Sequence, residues 1–350
     1  MAGSISVGGK VIATHTGPKG AGTVDLDVNS FKIGGNTIAS QIGSEVTLQN
    51  INDIRVKGVS LQTIGIITDA TGGTITTDGN YKIHTFTSSQ DFIVNTMSEP
   101  TELELLIVAG GGGGHTQSGG GGGAGGVIEM KYYLKNTGTY PVVVGAGAAG
   151  RDNGGLGATI GGDSTFLHFT AEGGGGGAPG SFSGDAFHNH SGGSGGGGGA
   201  GGGNSGSRIY VMMGASGTRN QGSGGGHGNY YNSSFNGGGG GGGAGRAGYN
   251  VVTGNTPVGG KAYGGQGIQS EITGTLVWYG GGGGGGYASY NATSVGLGGN
   301  GGGGNGGTTS VASTAGAENT GGGGGGGGYS TYTAGSNGGS GIVIIRYRFQ

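Results

Sequence analysis

Cysteine is absent from this chain, and proline occurs only 5 times in 350 residues. The first absence excludes a disulfide framework and a thiolate metal site. The second, with no strict Gly-X-Y period, excludes collagen. Charge is scarce too. Charged residues make up 9% and the formal net charge is -2, so no basic stripe exists to attract a phosphate backbone and nucleic acid is not an expected partner. Long apolar runs are also missing. The longest, 105–109 and 342–345, are far too short to cross a bilayer. Residues 1–20 alternate polar and apolar positions without the apolar segment of a secretory signal, so synthesis in a cytoplasm without export by that route is expected.

What is there is glycine, 105 residues of it, with unbroken runs such as 237–243, 280–286 and 321–328. Ordering glycine costs more backbone entropy than ordering any other residue. Flexible linkers are the bland reading of glycine with serine, but linkers have no need of the 15 Tyr and 9 Phe found here. A glycine chain can adopt the left-handed polyproline II helix, with three residues per turn, a rise of about 3.1 Å and no internal hydrogen bonds. Packed side by side, such rods bond to one another, each bond contributing about 0.5 to 1.5 kcal/mol net against a backbone ordering cost of roughly 1 to 2 kcal/mol per residue. One run would not hold, so many must cooperate. Runs of seven or eight residues give rods of about 22 to 25 Å.

The remaining pattern is β. Residues 1–73 read as short strands over 4–13, 24–28, 45–48 and 54–56, with Gly34-Gly35-Asn36 as a turn. From 74 to 170 the period-two alternation strengthens, with strands expected at 81–87, 92–94, 103–108, 127–133 and 140–144. Residues 171–337 are glycine runs with aromatic interruptions, and 338–350 return to a strand that needs a sheet to join. The expected fold is all-β, with β-sandwich-like strands bracketing a polyglycine II bundle and no substantial α-helix. The expected domains are 1–73 and 74–350.

No catalytic constellation stands out. His188-Asn189-His190, near Asp185, is the closest histidine pair and reads as polar loop rather than metal site. The run 145–150 satisfies the G-x-G-x-x-G spacing, but Arg151-Asp152-Asn153-Gly154-Gly155 cannot open the helix that a dinucleotide site requires. The chain is expected to be no enzyme and to carry no cofactor or metal. The interruptions are the better candidates, because tyrosine among Ser, Gly and Asn is the composition of recognition loops. They hold Phe182, Phe187, His188 and His190; Tyr210 and Arg219; Tyr230, Tyr231 and Phe235; and Tyr287, Tyr290 and Asn291. The competing reading has these side chains capping the bundle ends.

Particular stretches carry a resemblance. They are 81–89 (YKIHTFTSS), Phe92-Ile93-Val94, 105–114 (LLIVAGGGGG), 121–127 (GGGAGGV), 142–150 (VVVGAGAAG), 161–166 (GGDSTF) and the closing 338–347 (GGSGIVIIRY). Over about residues 74–350 the chain resembles the glycine-rich domain of bacteriophage tail and tail-fibre proteins. The runs are also similar to the polyglycine II bundle in the tip adhesins of T-even-like phage long tail fibres, and 1–10 is similar in style to virion attachment segments. The resemblance implies a virion protein that attaches to other virion proteins through 1–73. It implies recognition of a host cell-surface glycan or outer-membrane protein through the bundle-end loops, and it allows a homotrimer. The alternative it leaves open is a purely structural fibre, spacer or capsid-decoration protein.

Overall fold

The computed structural model describes residues 65–98, 100–151, 159–180, 190–201, 210–232, 235–251, 262–287, 295–329 and 334–350, and the backbone of seven strands before residue 65. The residues cluster into two units, Met1–Ile64 and Gly65–Gln350. In the first, β1 (Gly3–Val7) pairs with β2 (Lys10–His15), β3 (Ser30–Ile33) with β4 (Asn36–Ile42), β4 with β5 (Glu45–Leu48), and β6 (Ile54–Val56) with β7 (Val59–Leu61), all antiparallel. The single strand expected over 4–13 is two, β1 and β2, paired antiparallel with Val7 opposite Lys10. The strand expected over 24–28 lies outside the described residues.

The second unit takes in residues 65–73, which the sequence pattern had grouped with the first. Its strands are β8 (Ile67–Thr71), β9 (Thr74–Asp78), β10 (Tyr81–Phe86), β11 (Gln90–Met97), β12 (Thr101–Val108), β13 (Val127–Leu134), β14 (Gly138–Val143), β15 (Ser164–Phe166), β16 (Phe169–Ala171), β17 (Tyr210–Met212), β18 (Gly228–Asn232), β19 (Phe235–Gly237), β20 (Ile268–Ser270), β21 (Val277–Tyr279) and β22 (Ile342–Arg348). No α-helix occurs among the described residues.

Two antiparallel five-stranded sheets, ordered β13-β12-β22-β10-β9 and β16-β15-β14-β11-β8, form a sandwich. Phe86, Leu105, Ile107, Val343, Ile345 and Tyr347 of the first sheet share one core with Ile67, Phe92, Val94, Val142 and Phe166 of the second. The first sheet is apolar on its other face as well. There Ile83, Leu106, Val108, Ile342 and Ile344 pack against Ile272, Tyr279, Ile268 and Val277 of the β20–β21 hairpin. Cover on both faces is why β12 and β22 read as continuous apolar runs rather than alternating ones.

His84 of β10 is fully buried in this core. Its Nδ1 lies 2.7 Å from the Gly72 carbonyl, which can only accept, so Nδ1 carries the proton and Nε2 accepts from the Tyr347 hydroxyl at 2.9 Å. Burial, the largest effect, holds the imidazole below its ordinary range, partly offset by the bond to Gly72; burial pushes the Tyr347 phenol up, so it stays a donor. Because the folded state keeps His84 neutral while the unfolded chain protonates near its ordinary value, stability is expected to fall as pH drops below about 6.5, with a slope of up to about 1.4 kcal/mol per pH unit. Thermal melts across that window check this, and His84→Gln, which retains a donor and an acceptor, should flatten the slope.

Above the sandwich the strands continue as glycine rods. β12 runs into 109–115, a turn at 116–118 reverses the chain, and 119–126 returns it to β13. Rod 119–126 shows the packing rule. Gly120, Gly123 and Gly126 donate to Ala178, Gly175 and Glu172; Gly121 and Ala124 donate to Gly239 and Gly242; Gly119, Gly122 and Gly125 donate to Gly327, Gly324 and Gly321. Its carbonyls obey the same period. Gly120, Gly123 and Gly126 accept from His115, Gly112 and Ala109; Gly121 and Ala124 from Gly197 and Ser194; Gly119 and Gly122 from Gly286 and Gly283. One rod thus bonds six neighbours, with every third residue addressing the same one. Rod 281–286 repeats the pattern in its packing: a Cβ at 281 or 284 would meet the carbonyls of Gly299 or Gly296, at 282 or 285 those of Gly241 or Gly238, and at 283 or 286 those of Gly324 or Gly327. No glycine of 119–126, 237–243 or 281–286 has a positive φ. Three residues per repeat, negative φ and bonds made only between rods are the features of the polyproline II type. The rods also occupy 109–115, 119–126, 145–151 and 159–163, inside the stretch where the sequence pattern placed only strands.

Candidate functional site

The ends of the rods define two ends of the bundle. At one end they join the sandwich, where Ser164 Oγ donates to the Val108 carbonyl and accepts from the Gly145 N–H, tying strand to rod. The other end is marked by the turn 116–118. Gly180 donates there to Thr116, Ala200 to Ser118, and Gly286 to Gly119. Tyr287 donates to Gly307, Gly335 to Arg151, Arg151 to Gly114, and Val251 to His227. The residues beside 152–158, 202–209, 252–261, 288–294 and 330–333 therefore all stand at this far end. So does the small sheet β17-β18-β19, which carries Tyr210, Tyr230, Tyr231 and Phe235 in its backbone, Tyr210 in register with Tyr230. Described residues add Val211, Met213, Val311 and Tyr329 here, all exposed large apolar side chains.

The other candidates divide. Phe182, Phe187, His188, Tyr290 and Asn291 lie outside the described residues. His190 is built into the lattice: its N–H donates to Gly176 and its carbonyl accepts from Gly196. Tyr287 is buried at 6% exposure, with its hydroxyl accepting from the Ala262 N–H at 3.0 Å and its ring against Gly237. Burial pushes its phenol up to about 12. Its ring packs inside the bundle rather than on the surface. Arg219 is exposed and stands at the sandwich end. The stretch 208–221 is not one loop: after β17 it descends through 214–217, and its turn at 218–221 reaches β13, where Val127 donates to Gln221. Short interruptions at the sandwich end and long ones at the far end look alike in sequence, because glycine runs on both sides hide the direction of travel.

No group of three or more His, Asp or Glu among the described residues could hold a metal. The run 145–150 is a rod, with Ala148 donating to Gly111 and Arg151 to Gly114. On the sandwich, Arg346 meets Glu104 at 2.8 Å and Asp78 at 3.0 Å, and Lys131 meets Glu102 at 2.6 Å.

A sandwich that carries a glycine lattice, with its long connections at one end, defines a scaffold class. The chain belongs to the glycine-rich domain family, whose model matches residues 87–348. The match starts just after β10 and ends in β22, so it spans nearly the whole second unit. No curated protein is similar enough to this chain to match it.

Proposed function

We propose that the protein is a phage virion component, a tail-fibre or adhesin protein, that binds a host-surface receptor through the connections at the far end of the bundle. The observation that supports this reading is topological. The rods return chain after chain to one end, and the described residues beside 181–189, 202–209 and 288–294 stand there, whereas the β20–β21 hairpin and the turn with Arg219 stand at the sandwich. A stiff lattice spares those segments part of the ordering cost that binding imposes on mobile loops. Tyr230, Tyr231 and Phe235 are the residues on which the reading leans most, since β18 and β19 hold their backbones in a fixed register. The receptor class is a surface glycan or an outer-membrane protein, and residues 1–73 would join other virion proteins.

The test uses the full chain, fluorescently labelled, on a panel of bacterial cells. Binding to particular strains is expected, and Tyr230→Ser/Tyr231→Ser/Phe235→Ser should weaken it by about tenfold or more, the loss of an interface hot spot. A chain that labels no strain, or a triple variant that labels as well as the wild type while residues 237–243 keep their amide protection, would favour the purely structural virion role.

A further inference from the structure

A lattice of this kind has no intrinsic limit. Its rods accept neighbours running either way: 281, 284 and 287 pair in parallel with 301, 304 and 307, while 283 and 286 pair antiparallel with 122 and 119. The outermost rods should therefore accept rods from a second molecule, as an open sheet edge accepts a strand. We infer that the non-glycine residues of the outer rods close this surface against a second copy of the same chain.

Two observations carry the inference. The first is steric. With three residues per turn, every third side chain of an outer rod points the same way, and these are the positions that are exposed and not glycine: Ala146 and Ala149, Leu297 and Asn300, Ala334 and Asn337. The inner rods, whose three directions all meet carbonyls, are glycine almost throughout. The second concerns valence. Outer N–H groups that a further rod would bond are taken by side chains instead. Asn337 Oδ1 accepts from Gly150 at 2.8 Å, Asn305 Oδ1 from Gly298 at 2.9 Å, and Asn250 Oδ1 from His227 at 2.7 Å. Asn in the interruptions thus has a task at the lattice edge that is separate from recognition.

The test opens one flank in the full chain with Leu297→Gly/Asn300→Gly/Asn305→Gly and follows mass against concentration by sedimentation velocity. Relative to wild type, the weight-average mass should rise by about twofold or more with concentration, growing without a fixed end point because rod addition is not self-limiting. Amide protection of 281–286 reports that the bundle still folds. A second variant, Ala146→Gly/Ala149→Gly/Asn337→Gly, opens a different flank and carries the same expectation. Unchanged mass with protection retained, in either variant, overturns the inference. Loss of protection in both also overturns it, since these residues would then hold the fold rather than close its edge.

Discussion

Alanine at Gly122 or Gly283 is expected to cost more than about 3 kcal/mol, at or beyond the usual upper range for an overpacked site. A Cβ at Gly122 would enter the carbonyl of Gly112, and one at Gly283 the carbonyl of Gly324. These obstacles are backbone atoms in rods already bonded to several neighbours, so relief requires breaking hydrogen bonds rather than turning a side chain. Both glycines have ordinary φ, which means that space alone is tested. Gly79 is the converse control. Its φ is 55° but nothing stands within reach of a Cβ, so Gly79→Ala should cost only about 1 kcal/mol, the usual conformational penalty. Leu297→Ala, on the outside of a rod, should stay within about 0.5 kcal/mol of wild type. Denaturant midpoints for the four proteins give the comparison; a Gly122→Ala or Gly283→Ala midpoint matching that of Gly79→Ala would contradict the packing described.

Removing residues 342–350 is expected to abolish folding of the second unit altogether. β22 is the middle strand of its sheet, bonded to β12 along Leu103–Val108 and to β10 along Tyr81–Phe86. It places Val343, Ile345 and Tyr347 in one core and Ile342 and Ile344 in the other. Full burial of such side chains is worth about 1.5 to 3 kcal/mol each, so five of them approach the whole stability of an ordinary domain, about 5 to 15 kcal/mol. β22 thus closes a sheet begun some 260 residues earlier, a very non-local pairing that makes slow folding the expectation. Circular dichroism and solubility of the truncated chain check the result; a soluble, cooperatively melting product would show that β22 is dispensable.

The broad plan was legible in the sequence because each part of it has a physical period. Alternation in 81–86 and 103–108 gives strands, and the apolar 342–345 at the end of a glycine-rich stretch demands a sheet to return to. Glycine runs of similar length point to rods. What could not be read was direction. Arg219 and Tyr230 occur in similar settings, yet one lies at the sandwich and the other at the far end, because only the inter-rod bonds reveal which way each run travels. The aromatics were ambiguous for a related reason: Tyr287 continues a glycine run and is buried as its last residue, where a side chain can fit between rods. Asn305 and Asn337 carried no signal of their edge role in the sequence, because an amide that bonds a neighbouring backbone looks the same as any other polar residue between glycine runs. The β20–β21 hairpin was hidden because Trp278 and Tyr279 look like punctuation between runs when they are a strand covering the second face of the first sheet.

The fold of the second unit depends on the glycine runs being an ordered, mutually bonded lattice. Amide hydrogen exchange of the full chain, resolved over residues 237–243 and 321–328, measures that directly. These amides donate to rods on several sides, among them those holding Gly286, Gly198, Gly112 and Gly284, and they should exchange only through opening of the whole bundle, at rates close to those of the core strands β12 and β22. Exchange at the rate of an unstructured glycine peptide would contradict the lattice.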